Sequence, residues 1–368
     1  MRACVIHAQG DLRVEEAPEP EPGPGQALVA VRYGGVCGSD LHYWRHGGVG
    51  DFRLREPMVL GHEVVGTVVS YGPGATGPAP GTAVAVHPAT PCGTCPECAD
   101  GRENVCRDTR YLGSAARFPH VQGGFAARVT VPAGQVRPLP TGLDLRRAAL
   151  AEPLSVALHA VRRAGDVTGR HVLVTGAGPI GCLVVAAVRA AGAARVTVTD
   201  LVPRALRYAS AAGADTVVRA DDPVDPGWPT EVDVAVEASG VAAGLDACLR
   251  LVRRGGVVVQ LGMLPPGQSP FAGNLVVSRE IELRGAFRFG TEFDGALRLL
   301  AAEPAFDELV SAVVPVRDAE AAFALAADRT RSCKVLLDFG DPEGREDAGD
   351  GADVGDPGGP GGLGGPGS

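Results

Sequence analysis

The sequence predicts an α/β protein of two domains: an irregular, antiparallel, barrel-like β domain and a doubly wound parallel sheet covered by helices. Three observations lead there. Residues 1–150 hold short β-type runs broken by glycine and proline. Residues 151–285 alternate strand and helix patterns, the arrangement that buries a parallel sheet between helical layers. The length, 368 residues, is enough to build two cores.

The elements follow in order. In the first domain, residues 27–32, 64–70, 83–87 and 125–131 read as strands, each bounded by turn-forming residues. In the second, residues 171–175 (His-Val-Leu-Val-Thr) form a short apolar strand, and 182–191 an alanine-rich buried helix. Residues 195–199 form a second strand that ends on Asp200. Beyond them, 232–237 reads as a strand, 241–251 as a helix and 257–262 as a strand. Residues 286–340 return to helix plus a last strand over 334–339.

Residues 341–368 are dominated by Gly, Pro and Asp and hold seven acids against one base, Arg345, so they read as a solvated, disordered tail. That tail carries most of the net charge of −9. The acidity is therefore a local property that implies no basic partner, and nothing in the body suggests nucleic acid. No apolar run of about 20 residues is present, so no membrane span is expected. The chain opens with neither a charged nor an apolar leader, which points to the cytoplasm. Lys334 is the only lysine among 34 basic residues; with the richness in Ala and Gly, that skew reads as genome composition.

Two clusters carry metal chemistry. Cys92-Gly-Thr-Cys95-Pro-Glu-Cys98, followed by Cys106, places four of the chain's nine cysteines within fifteen residues. Four thiolates at this spacing close a tetrahedral shell around one zinc ion and leave no position open, so the site is structural. Two disulfides fit poorly without an export signal. Cys4, Cys182, Cys248 and Cys333 lie in apolar surroundings and read as core residues. The second cluster is Cys37 in Gly-Val-Cys-Gly-Ser39-Asp-Leu-His42, with His62 and Glu63 in Gly-His-Glu, and Glu152 in Ala-Glu-Pro-Leu at the start of a helix. Thiolate, imidazole and carboxylate together make the mixed shell of a catalytic zinc, which keeps room for substrate.

The third signature is Gly176-Ala-Gly178-Pro-Ile180-Gly181, directly after the strand 171–175 and directly before a helix, with Asp200 at the end of the next strand. Strand, glycine turn, helix, strand and acid make the βαβ dinucleotide fingerprint in its required context. Gly176 serves the tight turn, Gly178 the approach to the pyrophosphate and Gly181 the close packing of helix on sheet. Asp200 can accept both ribose hydroxyls of NAD and repels a 2′-phosphate. Arg204 can flank the adenine or offset that repulsion. NAD is favoured, with NADP left open.

With these motifs the chain resembles the zinc-dependent medium-chain dehydrogenases, in the branch that holds sorbitol and L-idonate 5-dehydrogenases. The segments Cys37-Gly-Ser39-Asp40-Leu-His42-Tyr43-Trp44 and Leu150-Ala-Glu152-Pro-Leu-Ser-Val-Ala-Leu-His159 carry the likeness. Leu112 to Phe125, with Arg117-Phe118-Pro119-His120, and Gly285-Ala-Phe287-Arg288-Phe289 lean toward the idonate side. Sorbitol enzymes typically have Tyr where this chain has Phe289.

The resemblance implies a GroES-like β-barrel catalytic domain over 1–150, rejoined by 286–340, and a Rossmann NAD-binding domain over 151–285. It implies two zinc ions per chain, catalytic on Cys37, His62, Glu63 and Glu152 and structural on Cys92, Cys95, Cys98 and Cys106. Ser39 and His42 match the hydroxyl-to-imidazole proton relay, and Glu152 either binds zinc or holds its water. Tyr43 matches a substrate-contacting position, and Arg288 a cofactor or polyol contact. Homo-oligomers, tetramers or dimers, are expected, with residues 257–261 extending a sheet across a two-fold axis.

The expected reaction is reversible, NAD-linked oxidation of a secondary alcohol. An aldonate such as L-idonate needs a cation for its carboxylate, for which Arg117 is the first candidate and His120 the second. Oxidation at C5 of L-idonate to 5-keto-D-gluconate is the leading expectation. A neutral polyol such as sorbitol or xylitol is the alternative. A reading from another class, a zinc-stabilised nucleotide-binding sensor without catalysis, has no chemical use for Cys37, Ser39, His62, Glu63 and Glu152 together.

Overall fold

The computed structural model describes residues 1–340, and the predicted tail, 341–368, lies outside them. Among these residues, seven strands form one mainly antiparallel sheet and six form a parallel one. The first is organised around Gln26–Gly35. Its run Leu28-Val-Ala-Val31 is buried on both faces, which is why it reads as continuous apolar sequence rather than alternation. Glu63–Tyr71 pairs along one side of it. On the other side Arg128–Pro132 takes the first half and Lys334–Asp338 the second. The last strand among the described residues, Lys334–Asp338, is therefore hydrogen-bonded into a sheet begun some three hundred residues earlier, and Val310–Pro315 extends that sheet in parallel.

The parallel sheet runs in the order Thr216–Arg219, Arg195–Asp200, His171–Thr175, Val232–Glu237, Val252–Gln260, Glu282–Gly285. The direction of winding reverses between His171–Thr175 and Val232–Glu237, which opens a crevice beyond their C-terminal ends. The helices Pro179–Ala190 and Ala151–Ala164 cover one face, and the larger apolar core lies between them and the strands.

Several elements differ from expectation for identifiable reasons. The helix that follows the glycine turn begins at Pro179, because Gly178 is an extended N-cap and proline suits the first helical position. The strand expected at 257 starts at Val252; its ladder crosses the polar Arg253-Arg254-Gly255-Gly256 run through an irregularity opposite Val232–Val234. That strand is also hydrogen-bonded on both sides, so residues 257–261 cannot extend the sheet to a second subunit; the edges of this sheet are Thr216–Arg219 and Glu282–Gly285. Phe125, read as part of a strand, instead clips two segments: its N–H donates to the Leu60 carbonyl at 2.8 Å and its carbonyl accepts from Cys4 at 2.8 Å. The hairpin Arg2–Ala8 with Asp11–Glu16 had no clear sequence signal, since only Leu12 and Val14 are apolar in its second strand. No helix among the described residues is long and apolar enough to cross a membrane.

Candidate active site

Sheet register builds the first half of the site. Gly35 lies opposite Glu63, so the chain leaves one strand just where it enters the next. Cys37, two residues past Gly35, caps the helix Gly38–His46 and meets His62 and Glu63. The donor atoms of these three lie within 4.8 Å of one another. Gly35 is required by this approach, because a Cβ there would run into the Glu63 carboxylate. Asp40, fully buried, ties the two loops together: one oxygen accepts the Cys37 N–H at 2.9 Å and the other the Gly61 N–H at 3.2 Å.

Lys334 closes the site from below. Its ammonium donates to both Glu63 oxygens, at 2.8 and 2.7 Å, and to the Val36 carbonyl at 3.2 Å. Burial alone would pull this ammonium down, but the Glu63 and Cys37 charges outweigh it and hold its pKa above the ordinary value.

Glu152 stands in the first turn of Ala151–Ala164, where the positive end of the helix favours a carboxylate. It lies outside the trio of mutually close donors. The Tyr111 hydroxyl donates to its Oε1 at 2.6 Å. Burial pushes the Glu152 carboxyl up; His62 pulls it down and Glu63 adds to the rise. Over the Tyr111 ring, 4.4 Å from its centroid, lies the guanidinium of Arg288. Arg288 is half-buried and has a left-handed backbone, φ 52°. Its pKa is lowered by burial and held up by Tyr111, Glu152 and Tyr43.

The other expected residues divide. Ser39 and His42 sit three apart on one helix face beside Cys37, Ser39 half-buried and His42 exposed. Partial desolvation of the ring against the helix surface, then the neighbouring His46 and Arg45 charges, lower the His42 pKa. Tyr43 is buried, and its hydroxyl accepts the Ala115 N–H at 2.9 Å. Arg117 is committed elsewhere: it pairs with the Asp108 carboxylate and donates to the Asp108 carbonyl at 3.0 Å and the Thr109 carbonyl at 3.3 Å. His120 is buried, with Nδ1 2.7 Å from the Arg117 carbonyl and Nε2 accepting the Arg55 N–H at 2.9 Å. Both of its ring nitrogens are used within the protein.

Cys92, Cys95, Cys98 and Cys106 bring their sulfurs within 4.8 Å of one another. Backbone N–H groups aim at them: Cys95 donates to the Cys92 sulfur at 3.3 Å, Cys92 to that of Cys106 at 3.3 Å, and Asp108 to Cys106 at 3.4 Å. Such donors stabilise thiolates, the form a metal binds. The trio of Cys37, His62 and Glu63 passes a similar test. Burial works against a charged imidazole, yet the Cys37 and Asp40 charges hold the His62 pKa well above its ordinary value. A pocket whose field draws a proton onto His62 draws a metal dication for the same reason.

The glycine turn fits a dinucleotide. A Cβ on Gly176, at φ 91°, would meet the Ser239 backbone at 2.8 Å, whereas one on Gly178 would meet nothing within 4 Å, leaving room at the helix N-terminus for a phosphate. Ile180 is partly buried against the larger core. Asp200 accepts the Ala177 N–H at 2.7 Å and the Val202 N–H at 2.9 Å, and pairs with Arg329. Arg204 is exposed and lies over the Tyr208 ring.

A barrel-like domain that supplies Cys37, His62 and Glu63, joined to a parallel sheet with a glycine turn, defines a metal-dependent, dinucleotide-linked dehydrogenase. The family model for the alcohol dehydrogenase GroES-like domain matches residues 23–141, and that for zinc-binding dehydrogenases matches 179–302. The chain belongs to the zinc-dependent medium-chain alcohol dehydrogenases and is an NAD(P)-linked enzyme of that family. It is 40% identical to the L-idonate 5-dehydrogenase (NAD(P)(+)) of Escherichia coli (strain K12), over 92% of this chain and 98% of that one. It is 36% identical to the sorbitol dehydrogenase of Gallus gallus, over 91% and 95%. The crystal structure of the Escherichia coli L-idonate 5-dehydrogenase superposes with a TM-score of 0.85 at 39% identity, covering 92% of this chain and 98% of that one.

Three site residues were not assigned from sequence. Asp40 stood in the Cys37 motif as a spacer between Ser39 and His42. Tyr111 had only its place five residues after Cys106 as a signal. Lys334 had a signal, its uniqueness, that was read as composition; it is the one lysine and it is buried on Glu63.

Proposed function

We propose that this enzyme oxidises a secondary alcohol of a sugar acid with NAD, with L-idonate and 5-keto-D-gluconate as the leading substrate and product. The observation that carries the reading is Arg288, a half-buried guanidinium over Tyr111 beside Glu152. A cation in that position offers an aldonate carboxylate a charge-assisted bond that a neutral polyol does not use. Arg288 takes the role first considered for Arg117, whose guanidinium is held by Asp108. The likeness to an L-idonate 5-dehydrogenase supports the same choice.

Cys37, His62 and Glu63 would hold a catalytic zinc, which supplies Lewis acidity toward an alcohol oxygen, while the four-cysteine lobe would hold a second, structural ion. A bound NAD would supply the hydride acceptor for such an oxidation, which also releases one proton that the side chains must carry away. Ser39 accepts that proton from the substrate hydroxyl and His42 passes it to solvent. The lowered His42 pKa keeps its imidazole neutral, and so able to accept, at neutral pH. Glu152, held by Tyr111, orients the alcohol or a water beside it. Tyr43 shapes the pocket wall with its ring, its hydroxyl being used by Ala115. Gly176, Gly178, Ile180 and Gly181 would receive the pyrophosphate of the cofactor, Asp200 its ribose, and Arg204 would flank the adenine.

The second reading, a neutral polyol such as sorbitol or xylitol, rests on the resemblance to sorbitol dehydrogenases. Turnover of zinc-loaded enzyme on L-idonate, sorbitol and xylitol with NAD and NADP separates the two. The first reading expects kcat/KM for L-idonate at least about tenfold above either polyol, the effect of one charge-assisted bond. The reverse order assigns the enzyme to polyols. The same reading takes the enzyme to be a cytoplasmic dimer or tetramer, a state that light scattering on the eluting protein measures.

A further inference from the structure

The four-cysteine lobe touches the segment that carries Arg288. Its base is closed by the two-stranded pair Ala89–Thr90 and Arg110–Tyr111, which brackets the cysteines. That pair delivers Tyr111 under Arg288. Within the lobe, the short turn Glu103–Val105 presents Asn104, whose Nδ2 donates to the Phe287 carbonyl at 3.0 Å and lies 3.4 Å from His159 Nε2. His159 sits two helical turns after Glu152, and its Nδ1 lies 3.0 Å from Glu292 Oε1. The other Glu292 oxygen accepts the Gly290 N–H at 2.6 Å. The segment that carries Arg288 is thus held at Phe287 from one side and at Gly290 from the other.

Between those two clips, Arg288 keeps a left-handed backbone, φ 52°. A non-glycine residue in that region costs free energy and persists only where its surroundings impose it. Here the imposing contacts start from Asn104, and the guanidinium they aim lies over a tyrosine from the same lobe. We propose that the four-cysteine lobe is a positioning element for substrate recognition, with Asn104 as the positioning residue that holds Arg288 over Tyr111 to receive the substrate's acidic end. The proposal rests on the reading of Arg288 as the group that binds substrate, and it adds to the lobe a role in specificity.

A double-mutant cycle tests it, with zinc content measured on every variant and NADH affinity followed by fluorescence. Asn104→Ala should raise KM for L-idonate about tenfold, with kcat changed less than about twofold. Both zinc ions and the NADH affinity should be retained. In an Arg288→Ala background, Asn104→Ala should add nothing, because its effect passes through that arginine. Amide hydrogen exchange supplies a readout that needs no substrate: residues 287–290 should exchange faster in Asn104→Ala while residues 35–42 stay protected.

Additive KM effects, unchanged exchange at 287–290, or a fall in kcat with unchanged KM would each overturn the positioning role. So would loss of zinc that accounts for the whole effect. If Arg288→Ala itself leaves KM for L-idonate unchanged, the substrate-contact reading fails instead, whatever Asn104 does to the exchange of its neighbours.

Discussion

Glu63 and Lys334 are 271 residues apart in sequence and share one buried, two-pronged contact. A buried ion pair is costly to break, because the remaining charge has neither water nor partner. Lys334→Met is therefore expected to destabilise the metal-free enzyme by about 3–5 kcal/mol, and the zinc-loaded enzyme by less because the ion would itself partner Glu63, each read from the urea midpoint at constant slope. His87 behaves oppositely. Burial, with help from Arg137, lowers its pKa to about 4, and its ring packs on Phe289 and Phe293 while Nδ1 accepts the Ala89 N–H at 3.3 Å. The unfolded chain then binds the proton more readily than the folded one between pH 6.5 and about 4. Stability should be fully present above that window and fall by up to about 3 kcal/mol as pH drops through it. A His87→Phe variant should show a shallower acid limb in pH-dependent denaturation. At the cofactor end, Asp200→Ala removes the repulsion of a 2′-phosphate and frees Arg329. Its kcat/KM with NADP should rise about tenfold while KM for NAD increases, measured side by side. That Cys37, His62 and Glu63 come together was legible because each sits in a motif whose spacing implies its chemistry. Tyr111 and Lys334 act through partners that only the fold supplies, and no local pattern marks such residues; Asp40 is bonded locally to Cys37 as a helix cap, and only its bond to Gly61 depends on the fold.

The lobe between Ala89 and Tyr111 has little apolar material of its own, and none of the residues in its short helix Pro96–Ala99 is buried. Its shape depends on four sulfurs and the N–H groups aimed at them. Cys95→Ser should halve the zinc content and expose residues 92–108 to limited proteolysis, with cleavage mapped by mass spectrometry. An intact, protease-resistant lobe with one zinc per chain would refute the structural-metal assignment. Elements with a strong apolar core, His171–Thr175 and Val232–Glu237, had the same bounds in sequence and structure. Where polar residues cross a strand, as at Arg253-Arg254, or where a strand is short and half-exposed, as in Asp11–Glu16, the pattern carries no period to read.

Across the whole molecule the larger apolar core does not respect the division into two domains. Val65 and Ala85 of the barrel side, Leu336 of the last strand and Val172, Val198 and Val234 of the parallel sheet belong to one cluster, joined through Leu150, Leu154 and Ala157. Two domains sharing a core should unfold together. Calorimetry on the zinc-loaded enzyme is expected to give one transition with matching calorimetric and van't Hoff enthalpies; two resolved transitions would contradict this continuity. The pairing of a barrel with a doubly wound sheet was legible from composition and the glycine turn. The branching of Gln26–Gly35 between two partners was not, because a strand's neighbours are chosen by tertiary contacts rather than by its own sequence.

The burial of Lys334 also sets what chemistry can reach this protein from outside. Every other basic side chain among its 34 is an arginine, so the chain offers one side-chain amine, and that amine is 3% exposed and clasped by a carboxylate. Amine-directed cross-linkers, fluorescent esters and aldehyde supports, which attack the unprotonated nitrogen, find no surface lysine on the folded enzyme. Beyond the Met1 α-amine, which is paired with Glu16 and bonded to the Ala17 carbonyl, attachment has to go through carboxylates or an introduced thiol. Labelling of Lys334 by such a reagent would, in turn, report that the strand Lys334–Asp338 has left the sheet.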